Sequence, residues 1–400
     1  MAKTVSLKKS DHYFYYYYRA LVCLGKCMCI LPLQNVLSSN PFDLKYKRCS
    51  CIFFFSIFVQ CSLIFFVIYC YWLRIQVSTT GQKLLFILLI IMMVRVILSW
   101  SLCLFMMAKR MPCIIQLLET FVKQRRDLLL IDKPNHEIFF KIVLPCTSLI
   151  LFAMVYSYGI YSATQDIFPK YKPSALDKIA SYTIGFVASG HVIPIFYFLY
   201  LSSSISRSFH EINKTLKIHK FTPNYQDLFT HCPQAQLSKE LAQWRRLHSI
   251  LQEATVELCK GFGGILALEK VFIVVFVVGN LSCYLFSQSQ SIAFIVMLVV
   301  NLLLARATID LGQNLMKRGK KVARLFQGIP SESLSEKTKE EIQLWLLQLT
   351  SNPIHVDAAG YFQLDKSQTF EVLSSIATYL IVAVQLLEDE SSKTSVNGTS

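Results

Sequence analysis

Seven apolar segments of 18 to 25 residues constrain this chain more than any other feature. They run from Ser50 to Leu73, Leu84 to Ala108, Ile142 to Tyr161, Ile179 to Leu201, Ile265 to Phe286, Ile292 to Ile309 and Phe370 to Leu387. Eighteen residues of helix span about 27 Å, enough to cross the hydrocarbon core of a bilayer. With 54% hydrophobic and only 16% charged residues, the chain reads as a polytopic, all-α membrane protein with seven transmembrane helices.

The basic residues set the orientation. Lys and Arg number 31 in the segments before the first span and after the second, fourth and sixth, against 6 in the alternate segments. The positive-inside rule then puts the N-terminus in the cytoplasm and the C-terminus outside. In so oily a chain, the net charge of +15 reports basic loops against an anionic leaflet and not nucleic acid. Seven-span receptors that couple to G proteins have the reverse orientation. Their markers are also missing: no Asp-Arg-Tyr follows the third span, no Asn-Pro-x-x-Tyr lies in the seventh, and Ser162 to Asp177 holds no cysteine. Most of the 13 cysteines fall in spans or cytoplasmic loops, where disulfides are not expected. Cys49 and Cys51 are juxtamembrane candidates for acylation.

Around the spans, the N-terminal stretch Tyr13 to Leu37 reads as an amphipathic helix at the cytoplasmic interface, with Tyr13 to Tyr18 as interfacial aromatics. Ser238 to Lys260 keeps helical period and is expected to run on into the fifth span. Arg306 and Asp310 sit at i,i+4, a local ion pair. Asn213-Lys-Thr is a glycosylation sequon on the wrong side of the membrane. Thr338-x-x-Glu341 reads as a capping box opening a helix that Asn352-Pro353 ends. There is no Gly-rich phosphate loop, CxxC pair, HExxH or GxSxG, so an enzyme is not expected and no cofactor is implied.

Two groups of polar residues are left for the membrane itself. Arg95 lies well inside the second span, where an unpaired charge is costly; either an acid on another helix pairs with it or it anchors a ligand. Tyr156, Tyr158, Tyr182, Ser189, His191, Asn280 and Tyr284 fall at the outer ends of spans. They form either an aromatic belt or the wall of an outward-facing small-molecule pocket. In the seventh span Glu371, Thr378 and Gln385 recur every seven residues with Ser374 and Ser375 between them, a polar stripe on one helix face. Lipid cannot satisfy such a stripe, so it meets either its own bundle or water.

Thr378-Tyr379, five residues, then Gln385-Leu386 resembles the Thr-Tyr-(five apolar)-Gln-Phe signature in the last span of insect gustatory receptors. Leu247-His248 and Leu251 leading to Gly261-Phe262-Gly263 is similar to that family's run into its fifth span. Ala359-Gly360-Tyr361-Phe362 with Leu364-Asp365 resembles the segment before its last, and Leu24-Gly25 and Pro32 also fit. The resemblance implies a tetrameric, ligand-gated cation channel, homomeric or heteromeric with other gustatory receptors, in the dendritic plasma membrane of sensory neurons. It implies a small-molecule tastant bound in each subunit, the last helix around a central pore, and a gate near Gln385 and Leu386. Leu386 stands where the family usually has Phe and is similar to the related odorant-receptor co-receptor; Val382 would match a further pore-facing position of that relative. The division that follows is a cytoplasmic segment at 1–49, a six-helix ligand-sensing bundle at 50–309, cytoplasmic anchor helices at 310–369, a pore-lining helix at 370–387 and an extracellular tail at 388–400. The outer halves of the spans are more aromatic than polar, which favours a bitter or apolar ligand over a sugar.

Overall fold

A computed structural model describes residues 18–19, 22–23, 25–26, 30–36, 38, 40–48, 50–75, 90–91, 94–129, 154, 192–221, 234–286, 292–327 and 334–397. The first two helices are α1, Cys51–Ile75, and α2, Ala108–Leu129. They are followed by α3, Val192–Phe221, α4, Gln234–Phe286, and α5, Ile292–Gln327. Two more, α6, Glu336–Ser351, and α7, Ser367–Asn397, complete the order. The third apolar segment, apart from Met154, and the first part of the fourth, up to residue 191, lie outside the described residues. Among those described, Val94–Arg125 and Leu237–Gly279 are long and apolar enough to cross a membrane.

The organising element is α4, which touches every helix from α2 to α7. Its 53 residues make about 80 Å of helix, far more than the roughly 30 Å of a bilayer core. The amphipathic stretch from Ser238 and the fifth apolar segment are therefore one continuous rod. Its lower part buries Leu247, Leu251, Leu258 and Phe262 in a core shared with α2, α3, α5 and α6.

In three places the fold departs from the sequence reading. The stretch up to Leu37 is not one interfacial helix: beyond helical residues reaching Lys26, Leu33–Gln34 pairs antiparallel with Lys45–Tyr46. Tyr18 is not at an interface but fully buried, its hydroxyl 3.3 Å from Met111 Sδ and its ring against Tyr197 and Tyr200. The aromatic run looked interfacial because tyrosine is amphipathic; tertiary packing claimed its apolar body. Next, the helix entering α2 widens into a π segment at Cys103–Met107, where the Ala108 amide reaches back to Cys103 O. It lies just before Pro112, which has no N–H and would press on the carbonyl of Ala108. The Tyr46 hydroxyl donates to the Leu104 carbonyl within that widened turn, 3.0 Å. Finally, α6 is capped by Ser335 rather than opened by Thr338: the Ser335 hydroxyl accepts from the Thr338 amide, 3.3 Å. Glu341 is drawn away to Arg245 of α4, at 3.2 Å.

Asn213 is buried and donates to the Arg318 carbonyl of α5, 2.7 Å, so burial removes it as a glycan acceptor. Below the apolar part of α4, His248 is fully buried between Phe209 and Trp345, with Nε2 3.2 Å from Gly319 O. Burial pushes this imidazole down to about 4, against the opposing pull of the Gly319 carbonyl. An unfolded histidine titrates near 6.5, so below that pH the unfolded chain binds the extra proton. Stability is therefore full above pH ~6.5 and falls by about 3 kcal/mol as pH drops toward 4. Thermal unfolding of the detergent-purified protein should weaken between pH 7 and 5, and His248→Gln, which keeps a donor for Gly319, should flatten that dependence. An unchanged slope in the variant would refute the assignment.

Candidate functional site

The site assembles where three stretches far apart in sequence meet at the base of α7. After α6 the chain makes a tight turn: the Tyr361 amide donates to Ala358 O and the Ala358 amide to Phe362 O, 3.0 and 2.8 Å. Ala359 and Gly360 both take positive φ, +54° and +80°, the geometry of a two-residue hairpin turn. Ala359 holds that unfavourable conformation because the turn backbone lies directly on Gly263 of α4, where an added Cβ would come within 2.3 Å of the Ala359 nitrogen. Thus the Gly-Phe-Gly run and the Ala-Gly-Tyr-Phe run, 98 residues apart at Gly261 and Ala359, are two halves of one contact. The turn delivers Asp365, whose carboxylate accepts from the Ser367 amide at 2.9 Å and starts α7.

Helix α7 runs 31 residues, about 46 Å, beyond both ends of the expected Phe370 to Leu387 span. It packs on α4 and α5 through Thr369, Val372 and Ile376, which share one face. At 100° per residue, Glu371, Ser374, Thr378 and Gln385 lie on the opposite face, all four exposed, with Val382 beside them at 45% exposure. Tyr379 and Ile381 are 58% exposed on the flanks. The stripe is less needy than its composition suggests. Ser375 and Thr378 hydroxyls bond back to the carbonyls of Glu371 and Ser374, 2.8 and 3.0 Å.

Glu371 differs from the rest of the stripe. Sequence reasoning left it without a partner in its own subunit, yet its carboxylate is 2.8 Å from Lys270 Nζ of α4. Lys270 also donates to Gln368 and lies 4.1 Å over the Phe362 ring. One residue earlier, Glu269 points the other way, into a buried ion pair with Arg95; the guanidinium also reaches Asn301 of α5 at 3.4 Å. Arg95 and Glu269 are 2% and 5% exposed. Of the two readings of Arg95, the structure realises pairing with an acid on another helix. Glu269 and Lys270 were overlooked in the sequence, although adjacent opposite charges in the first turns of an apolar run were a visible signal. Arg306 and Asp310 form their pair at 2.9 Å.

Tyr156, Tyr158, Tyr182, Ser189 and His191 lie outside the described residues. Asn280 and Tyr284 fall on the last turns of α4, and Leu386 on α7, with only their backbone placement described. The structure therefore brings together Arg95, Glu371 and the base of α7, and does not test the outer pocket.

Known proteins share this fold. The chain is 26% identical over 116 residues to a Drosophila melanogaster sequence named gustatory receptor 28b, a match covering 29% of this chain and about a quarter, 25%, of that relative. Its fold is similar to the insect olfactory receptor OR5 from Machilis hrabei, at TM-score 0.58 and 13% identity. The same receptor in complex with eugenol superposes at TM-score 0.53 and 14% identity; both superpositions cover 93% of this chain and 99% of the other. The family described as 7tm chemosensory receptor matches residues 14–386. Across nearly its whole length, this chain belongs to the 7tm chemosensory receptor family.

Proposed function

We propose that the protein is a subunit of a tetrameric, ligand-gated cation channel that depolarises gustatory neurons when a small apolar tastant binds. The observation that carries this reading is the orientation of α7. It presents Ser374, Thr378, Val382 and Gln385 away from its own subunit, a face that lipid would leave unsatisfied and that facing copies would hydrate. With the N-terminus in the cytoplasm, α7 runs outward from an inner mouth near Glu371 to the acidic Glu388, Asp389 and Glu390.

Because Lys270 holds Glu371, the negative charge at the inner mouth is largely offset. Cation preference then falls on the outer acidic ring and on the amides of Gln385. Gln385 and Leu386 form the gate, with Tyr379 less than two turns inward on the flank of the same helix. Opening follows if the tastant, bound in a pocket among Tyr156, Tyr158, Tyr182, Ser189, His191, Asn280 and Tyr284, prefers the dilated state.

Expression of the chain alone in cells with G-protein signalling blocked, under a panel of bitter and aromatic compounds, is expected to give a non-selective cation current. A ligand response abolished by the block would defeat the channel reading. A tag on Ser400 unreachable by antibody in intact cells would defeat the orientation.

A further inference from the structure

Behind α7, on the side away from its exposed stripe, α4, α5 and α7 line a partly open cavity of about 120 Å³. Leu266 and Ile273 of α4, Leu302 and Ile309 of α5, and Val372 and Ile376 of α7 form its apolar walls. An apolar cavity of roughly 150 Å³ is large enough to hold benzene. This one therefore has room for one small ring or a short alkyl chain.

The charges on its rim are already matched. Glu269 is paired with Arg95, Lys270 with Glu371, and Arg306 with Asp310. An ionic ligand would have to break one of these pairs, so the occupant is neutral. One polar atom is left over: the hydroxyl oxygen of Thr369, on the α7 wall, is buried and has no hydrogen-bond partner among the described residues. A buried hydroxyl left unbonded is costly, and a ligand that satisfies it gains accordingly.

We propose that this cavity is a second binding site, distinct from the tastant pocket, for a neutral amphiphile carrying a short alkyl chain or ring and a single hydroxyl. Such a molecule bonds Thr369 and lies against Ile273, Val372 and Ile376. Since α7 forms one wall, occupancy sets how closely that helix approaches α4. Its effect on conduction rests on the channel reading; its existence as a binding site does not.

The test is photolabelling of the purified full-length protein with a diazirine analogue of octanol, with adducts mapped by mass spectrometry and competed with unlabelled octanol. Adducts are expected on the cavity walls at Ile273, Val372 or Ile376. Ile376→Trp, which fills the cavity, should remove the competable labelling at Ile273 and Val372. Thr369→Val, which preserves the shape and deletes the hydroxyl, should raise the octanol concentration for half-competition about fivefold. Both variants should elute like the wild type on size exclusion. No competable adducts on these walls, or half-competition unchanged in Thr369→Val, overturns the proposal. Adducts as expected in a protein that passes no current would sink the channel reading and leave the site standing.

Discussion

Replacing Arg95 by leucine is expected to cost the folded protein about 3–5 kcal/mol, because it leaves Glu269 buried without its counter-charge. The guanidinium is 2% exposed, donates to both Glu269 oxygens and reaches Asn301, so one substitution disturbs groups on three helices. Glu269 would have to protonate or draw in water in a region whose neighbours are Phe272, Ile273 and Leu302. Glu269→Leu alone should be comparably damaging, now with Arg95 stranded. The double variant Arg95→Met, Glu269→Leu, by contrast, should recover most of the loss, because well-packed apolar side chains replace a buried ion pair at little cost. Thermal unfolding in detergent measures all three. Equal and additive losses in the singles and the double would mean that the two side chains act independently, contrary to their geometry.

How much of this was legible beforehand depends on the kind of interaction. Continuous periodicity survived well: the run from Ser238 into the fifth apolar segment is one helix, with Leu247, Leu251, Leu258 and Phe262 buried along one face. The i,i+4 pair of Arg306 and Asp310 was readable because both partners lie within one turn. Long-range pairs were not. Nothing in the sequence couples Arg95 to Glu269 across 174 positions, or Lys270 to Glu371 across 101; only packing of α4 against the helix before α2 and against α7 brings them within reach.

The same limit explains Tyr18. Its composition suits a membrane interface and a core equally, and only the tertiary fold chose. The glycines gave a clearer signal. Gly263 and the Ala359-Gly360 turn both stood out as family-like, but their direct contact became visible only when a Cβ at Gly263 proved to collide with the turn. The stripe on α7 was legible as a face, and its direction away from the packed face of Thr369, Val372 and Ile376 came from the structure. The pairing of Glu371 with Lys270 gives a partner to the carboxylate that was expected to need none within its subunit.

Gln385→Lys is expected to abolish cation current while leaving the protein folded and at the cell surface. Gln385 is exposed on the face of α7 opposite Val372 and Ile376, so a longer charged side chain meets no packing obstacle within the subunit. Four copies around a shared axis would place four positive charges about a passing ion. At roughly 8 Å and an effective dielectric near 20, each repels a monovalent cation by about 2 kcal/mol. Even if counterions and water screen most of that total, a remaining barrier of about 3 kcal/mol lowers conductance by more than a hundredfold. Gln385→Glu should act in the opposite direction, keeping the current and raising the relative permeability to divalent cations. Whole-cell recording with surface biotinylation separates the explanations. Loss of current with normal surface labelling in the lysine variant, together with retained current in the glutamate variant, assigns Gln385 to the conduction path. A lysine variant that conducts with an unchanged reversal potential would place Gln385 away from any pore and remove the basis for treating α7 as its lining.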